Sequence, residues 1–173
     1  MTEYEIRVVA ALMVAGVAML CDLRTRRIPN LLTFGAAALA AIAGLVFGGP
    51  WGLLIALAGW ALGVALFFPM FALGGMGAGD VKLLAALGAW LGPMETVWLA
   101  LFSSIAGGVL ALIVSLYHGY LRQALTNVWM MLMTWRTSGF QPVSGLTLRD
   151  ATAPRLAYAV PIAIGLVCTL WRR

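Results

Sequence analysis

Gly74-Gly75-Met76-Gly77-Ala78-Gly79-Asp80-Val81-Lys82 interrupts a chain that is otherwise almost continuously apolar. Four glycines, one acid and one base stand there between two hydrophobic segments. Glycine lifts the side-chain barrier to tight turns and to close approach by another chain. A carboxylate between membrane segments is costly to hold, and that cost points to use. The apolar segments on either side make a frame that holds Asp80, together with one distant partner, at the edge of a membrane.

The composition sets the class. Of 173 residues, 63% are hydrophobic and only 10% are charged, where a soluble domain carries roughly a quarter charged residues. Too little polar surface remains for a water-soluble fold, so the chain reads as an integral membrane protein, all-α, with about six transmembrane helices. The net charge of +5 is no nucleic-acid signature. The basic residues punctuate the ends of apolar runs instead of forming a dense patch with aromatics, which suits topology and lipid headgroups as partners. Cys21 and Cys168 form no CxxC pair and His118 stands alone, so no metal-ligand set and no cofactor are expected. The acidic start Met1-Thr2-Glu3-Tyr4-Glu5 lacks a basic n-region, and the first apolar run is expected to be retained as a span.

Six apolar segments follow in order. The first runs from Tyr4 to Cys21 and stops at Asp22-Leu23-Arg24-Thr25-Arg26-Arg27-Ile28-Pro29-Asn30, whose proline ends any helix. The second, Leu31 to Phe47, and the third, Trp51 to Leu73, are joined by the turn Gly48-Gly49-Pro50. The fourth, Val81 to Leu91, is too short to cross a hydrocarbon core of about 30 Å at about 1.5 Å per residue. It either starts below the surface or follows a loop that dips inward, and irregular backbone at that depth needs protein or a wet cavity around it. The fifth runs from Thr96 to Tyr117. The sixth, Leu156 to Trp171, contains Pro161 and Gly165, which predict a kink or a close helix crossing.

The connection 118–154 is the one extended polar stretch. Leu121, Leu125, Val128, Trp129 and Leu132 recur there at helical spacing, as in a helix lying in the membrane interface. No soluble second domain and no internal repeat stand out, so residues 1–173 read as a single membrane-embedded domain. Placing the connection after the first segment in the cytoplasm puts eight basic residues on that side (Arg24, Arg26, Arg27, Lys82, Arg122, Arg136, Arg149, Arg155) against three opposite (Arg7, Arg172, Arg173). The positive-inside rule then sets both termini outside.

Among the six acids, Asp22 and Asp80 are distinctive. Each follows a segment that runs in the same direction, so both emerge on the cytoplasmic side and the topology lets them meet. Two aspartates facing one water can share a proton. One takes a proton from water as it attacks a peptide carbonyl, and the other donates to the carbonyl oxygen and then helps the amine leave. Gly77 and Gly79 would let an extended substrate lie beside Asp80. Lys82 is expected to snorkel to the headgroups. On the residues alone other roles stay open: Asp22 paired with Arg24 or Arg26, Asp80 as a helix cap, or both on an ion or proton pathway.

Gly77-Ala78-Gly79-Asp80 matches the GxGD signature of membrane aspartyl peptidases, and Gly75 to Leu83 resembles the second catalytic motif of type IV prepilin peptidases. Asp22 to Asn30, an aspartate followed by a basic stretch and Ile-Pro-Asn, is similar to that family's first motif. Tyr158-Ala159-Val160-Pro161-Ile162-Ala163-Ile164-Gly165 is similar to its last span. The resemblance implies that Asp22 and Asp80 are catalytic and that the substrate is a prepilin or pseudopilin. It implies cleavage at the cytoplasmic face of the bacterial inner membrane, between a basic leader and a hydrophobic helix. Longer family members carry an added cytoplasmic region with CxxC pairs and also N-methylate the product. This chain lacks both and looks like the short, peptidase-only form of Flp or tight-adherence pili, for which methyltransferase activity is not expected. The alternative readings are a small transporter or channel subunit using the same acids, which predicts solute flux without cleavage, and an inert scaffold for pilus assembly.

Overall fold

The computed structural model describes residues 2–139, 141 and 156–172, and among them the chain forms six α-helices and no strand. These are α1 (Glu3–Thr25), α2 (Asn30–Ala72), α3 (Ala78–Leu91), α4 (Pro93–Tyr117), α5 (Leu121–Ser138) and α6 (Ala159–Trp171). Three of them, α1, α2 and α4, are long and apolar enough to cross a membrane.

Local chemistry sets the boundaries. Thr2 opens α1 with a reciprocal cap: its hydroxyl accepts from the Glu5 amide, and the Glu5 carboxylate accepts from the Thr2 amide at 2.8 Å. The helix continues through Asp22, beyond the end expected at Cys21, and closes where Arg26 adopts a left-handed conformation and donates its amide to the Asp22 carbonyl. Pro93 begins α4 at a position whose amide has no helical partner in any case.

The 43-residue α2 is two arms, not one rod. Gly49 leaves helical geometry at φ 61°, ψ −154°, a left-handed value that glycine adopts without a side-chain penalty. Pro50 then starts the second arm. The arms fold back on each other: a methyl added at Gly44 would meet the Gly52 carbonyl oxygen at 2.6 Å, whereas eight residues of straight helix would separate them by about 12 Å. Phe34 and Trp60, like Ala41 and Ala56, accordingly face one shallow groove. The second and third expected segments are these two arms.

At the centre stands α3. Its 14 residues rise only about 21 Å, yet every residue from 81 to 90 except Lys82 is buried. It packs against α1, α2, α4 and α6. The fit against α2 is close enough that a methyl at Gly63 would sit 2.7 Å from the Ala85 Cα. The short fourth segment is therefore an enclosed core helix, and its length is set by protein neighbours. The crossing expected at Gly165 is also present, against Ser103 of α4. Pro161 lies in the first turn of α6, where a missing amide proton breaks no helical bond.

The bundle has two distinct ends. One holds Asp22, Asn30, the turn before α3 with the start of α3, and the start of α6. The other gathers Thr2 and Arg7 beside the Gly48–Trp51 turn, and Glu95 beside Arg172. The described ends of the chain thus lie together, opposite both aspartates, as alternating segments require.

Candidate active site

Asp22 sits in the last turn of α1, only 7% exposed. Its Oδ2 accepts a hydrogen bond from the Ala159 amide at 3.2 Å, across 137 residues of sequence. That amide is the first of α6, one of the donors that a helix N-terminus cannot satisfy internally. The carboxylate is thus turned inward onto α6 and caps it.

Asp80 occupies the third position of α3. Its Oδ2 accepts from the Gly77 amide at 3.3 Å, while its own amide donates to the Gly77 carbonyl at 3.1 Å. This is a helix cap, but the same carboxylate also lines a cavity of about 780 Å³. Asp80 precedes the buried stretch of α3 and lies outside the three long spans. Burial raises its pKa to about 7, the negative charge of Asp22 pushes the same way, and the Gly77 amide opposes them. The charge of Asp22 thus reaches Asp80.

The two sequence motifs meet in space. Ile28 packs over Gly79, where an added methyl would lie 3.4 Å from the Ile28 Cβ. Lys82 Nζ donates to Asn30 Oδ1 at 2.9 Å and stands 5.2 Å from the centre of the Phe34 ring. Lys82 thereby fastens the start of α2 to the start of α3.

The cavity takes its walls from the second arm of α2 (Phe67, Met70), the turn before α3 (Gly77), the first turn of α3 (Asp80), α4 (Gly107) and the segment before α6 (Tyr158). The start of α5 reaches it through Tyr120 and Ala124. Of the two glycines picked from sequence, Gly77 lines the cavity and Gly79 lies against Ile28. Tyr158 was not singled out individually. Its ring meets Phe67 edge-on, with centroids 6.1 Å apart, and it lies against Gly107. The signal available for it was a polar-tipped aromatic at the edge of an apolar run, a residue type whose hydroxyl usually finds a partner when buried.

The helix expected in the polar connection forms as α5, with Leu125, Trp129 and Leu132 exposed. The remainder of that connection, including Arg149, Asp150 and Arg155, lies outside the described residues. Among the described residues no three His, Cys, Asp or Glu side chains converge on a point that could hold a metal ion.

A family model described as the type IV leader peptidase family matches residues 9–112, a range that contains Asp22, the 74–82 stretch and most of α4. No curated protein and no solved structure matches the chain.

Proposed function

The chain belongs to the type IV leader peptidase family, and on that premise we propose that it is an aspartyl endopeptidase in which Asp22 and Asp80 activate water. Membership gives the coarse activity, a protease acting on prepilin-type substrates. The finer reading is supported chiefly by one observation: two aspartates 58 positions apart in sequence come within electrostatic reach at one end of the bundle, one of them on a cavity wall.

One proton serves the pair, and burial favours its place on Asp80. The ionised carboxylate takes a proton from water as its oxygen bonds to the scissile carbonyl carbon. The protonated partner gives its proton to the carbonyl oxygen. Collapse of the tetrahedral intermediate breaks the C–N bond, and the amine leaves with a proton from the pair. Gly77 leaves the cavity wall low beside Asp80, so an extended backbone can reach the carboxylate. This end faces the cytoplasm of the bacterial inner membrane, a reading supported by the basic residues Arg24, Arg26, Arg27 and Lys82 clustered there. The substrate's hydrophobic helix remains in the bilayer while its leader reaches the site, and α5 lies along the membrane interface beside the cavity.

Asp22→Asn and Asp80→Asn test this directly. Each is expected to lower leader removal from a co-expressed prepilin by at least about 10³-fold, the scale seen when one member of a catalytic unit is lost. Mass spectrometry of the pilin N-terminus supplies the measurement, with membrane abundance as control. Normal processing by either variant would refute the pair. Solute flux in liposomes without cleavage would support the transporter reading.

A further inference from the structure

Tyr158 lies immediately before α6, outside the range that the family model matches. Three elements fix its ring. Phe67 of α2 meets it edge-on at an interplanar angle of 72°. Gly107 of α4 lies beneath it: a methyl there would stand 2.5 Å from the hydroxyl oxygen and 2.7 Å from the ring. The next residue, Ala159, is pinned by its amide to Asp22. Consecutive residues thus touch the surroundings of both aspartates, Ala159 through its backbone and Tyr158 through the cavity wall it shares with Asp80.

This arrangement fixes a phenol in the wall of the cavity that Asp80 also lines. A phenol keeps its proton at neutral pH, so the hydroxyl remains a donor. A donor aimed at a developing oxyanion works best when packing has already fixed it, because no reorganisation is needed as charge appears. The absence of a side chain at Gly107 has a matching explanation, since any substituent would displace the ring.

We propose that Tyr158 is a catalytic residue whose phenolic O–H donates a hydrogen bond to the oxygen of the scissile carbonyl, stabilising the negative charge that develops on it as water adds and the aspartate's proton moves across. No proton is transferred from it; the aspartate pair carries the proton traffic. The proposal rests on the peptidase reading above, with a carbonyl oxygen accepting from Tyr158 through one lone pair and from the protonated aspartate through the other.

Tyr158→Phe keeps the ring and removes only the donor. In detergent or liposome assays on a prepilin it is expected to lower kcat by about 10- to 100-fold, with KM changed less than about threefold and thermal stability unchanged. Gly107→Val, which displaces the ring, is expected to lower kcat similarly. Tyr158→3,5-difluorotyrosine preserves shape while acidifying the phenol, and is expected to steepen the decline of kcat above pH about 7, because a second group then loses its proton there. A purely packing role would leave kcat at its normal value in Tyr158→Phe and the pH profile unmoved by fluorination, and either result would overturn the proposal. Asp80→Asn, run in parallel, separates the two claims. If it is inactive while Tyr158→Phe is normal, only the tyrosine assignment falls. If it remains active, the peptidase site and the tyrosine assignment fall together.

Discussion

Asp80 is held by opposing influences, and their balance gives a pH dependence. Its pKa in the fold, about 7, lies above its ordinary value of 3.8. A group of this kind binds its proton more tightly when folded, so its contribution to stability is present at low pH and is lost as pH rises towards 7. Asp80→Asn removes the titrating group. The difference in melting temperature between pH 5 and pH 8 is therefore expected to be smaller in the variant than in the parent, as measured by thermal unfolding in detergent. Catalysis by a singly protonated pair follows the same sign, with kcat expected to decline as pH rises above about 7. A rate that climbs steadily from pH 7 to 9 would contradict the shared proton. The acids themselves were legible in the sequence, because charge at the ends of apolar segments is conspicuous. Their partners were not. The Asp22–Ala159 bond spans 137 residues and the Lys82–Asn30 bond spans 52, and no local periodicity encodes such pairings.

At the scale of elements, hydrophobic segmentation gave the helices nearly in full. The Gly48-Gly49-Pro50 turn divides α2 where expected, and α4 begins at the proline after Gly92. Boundaries moved where charge lies inside a helix. Asp22 and Arg24 belong to α1, and Asp80 to α3, because the cost of including the acids is offset by their capping bonds. Lys82 is the element-level joint, since it ties the start of α2 to the helix that carries Asp80. Lys82→Met keeps the stem and removes the donor. It is expected to reduce kcat by about tenfold through a misplaced Asp80, in line with the steep dependence of rate on the positioning of reacting groups. The protein should remain in the membrane at normal abundance. An unchanged kcat in the same prepilin assay would show that Asp80 is positioned without the Lys82–Asn30 contact.

At the scale of the molecule, the two ends do different work. The end opposite the aspartates is fastened by Arg172, whose guanidinium meets the buried Glu95 carboxylate at 3.2 and 3.3 Å and lies 4.4 Å from the centre of the Trp98 ring. This charge just past the end of α6 locks α6 to α4. Arg172→Leu is expected to destabilise the protein by about 2 kcal/mol, the scale of hydrogen bonds to a charged group, and to leave kcat unchanged. Thermal unfolding and the cleavage assay, run together, check both halves of that expectation. A loss of kcat without a loss of stability would mean that the two ends are coupled.

The position of α6 also bears on how the protein is made. Synthesis runs from the N-terminus, and the first four helices can enter the bilayer before residue 159 exists. Until then Asp22 lacks the amide that holds it, and the cavity lacks the wall supplied by Tyr158. A chain halted at the translocon before residue 156 therefore holds Asp22 and Asp80 without the amide and the cavity wall that enclose them in the finished fold.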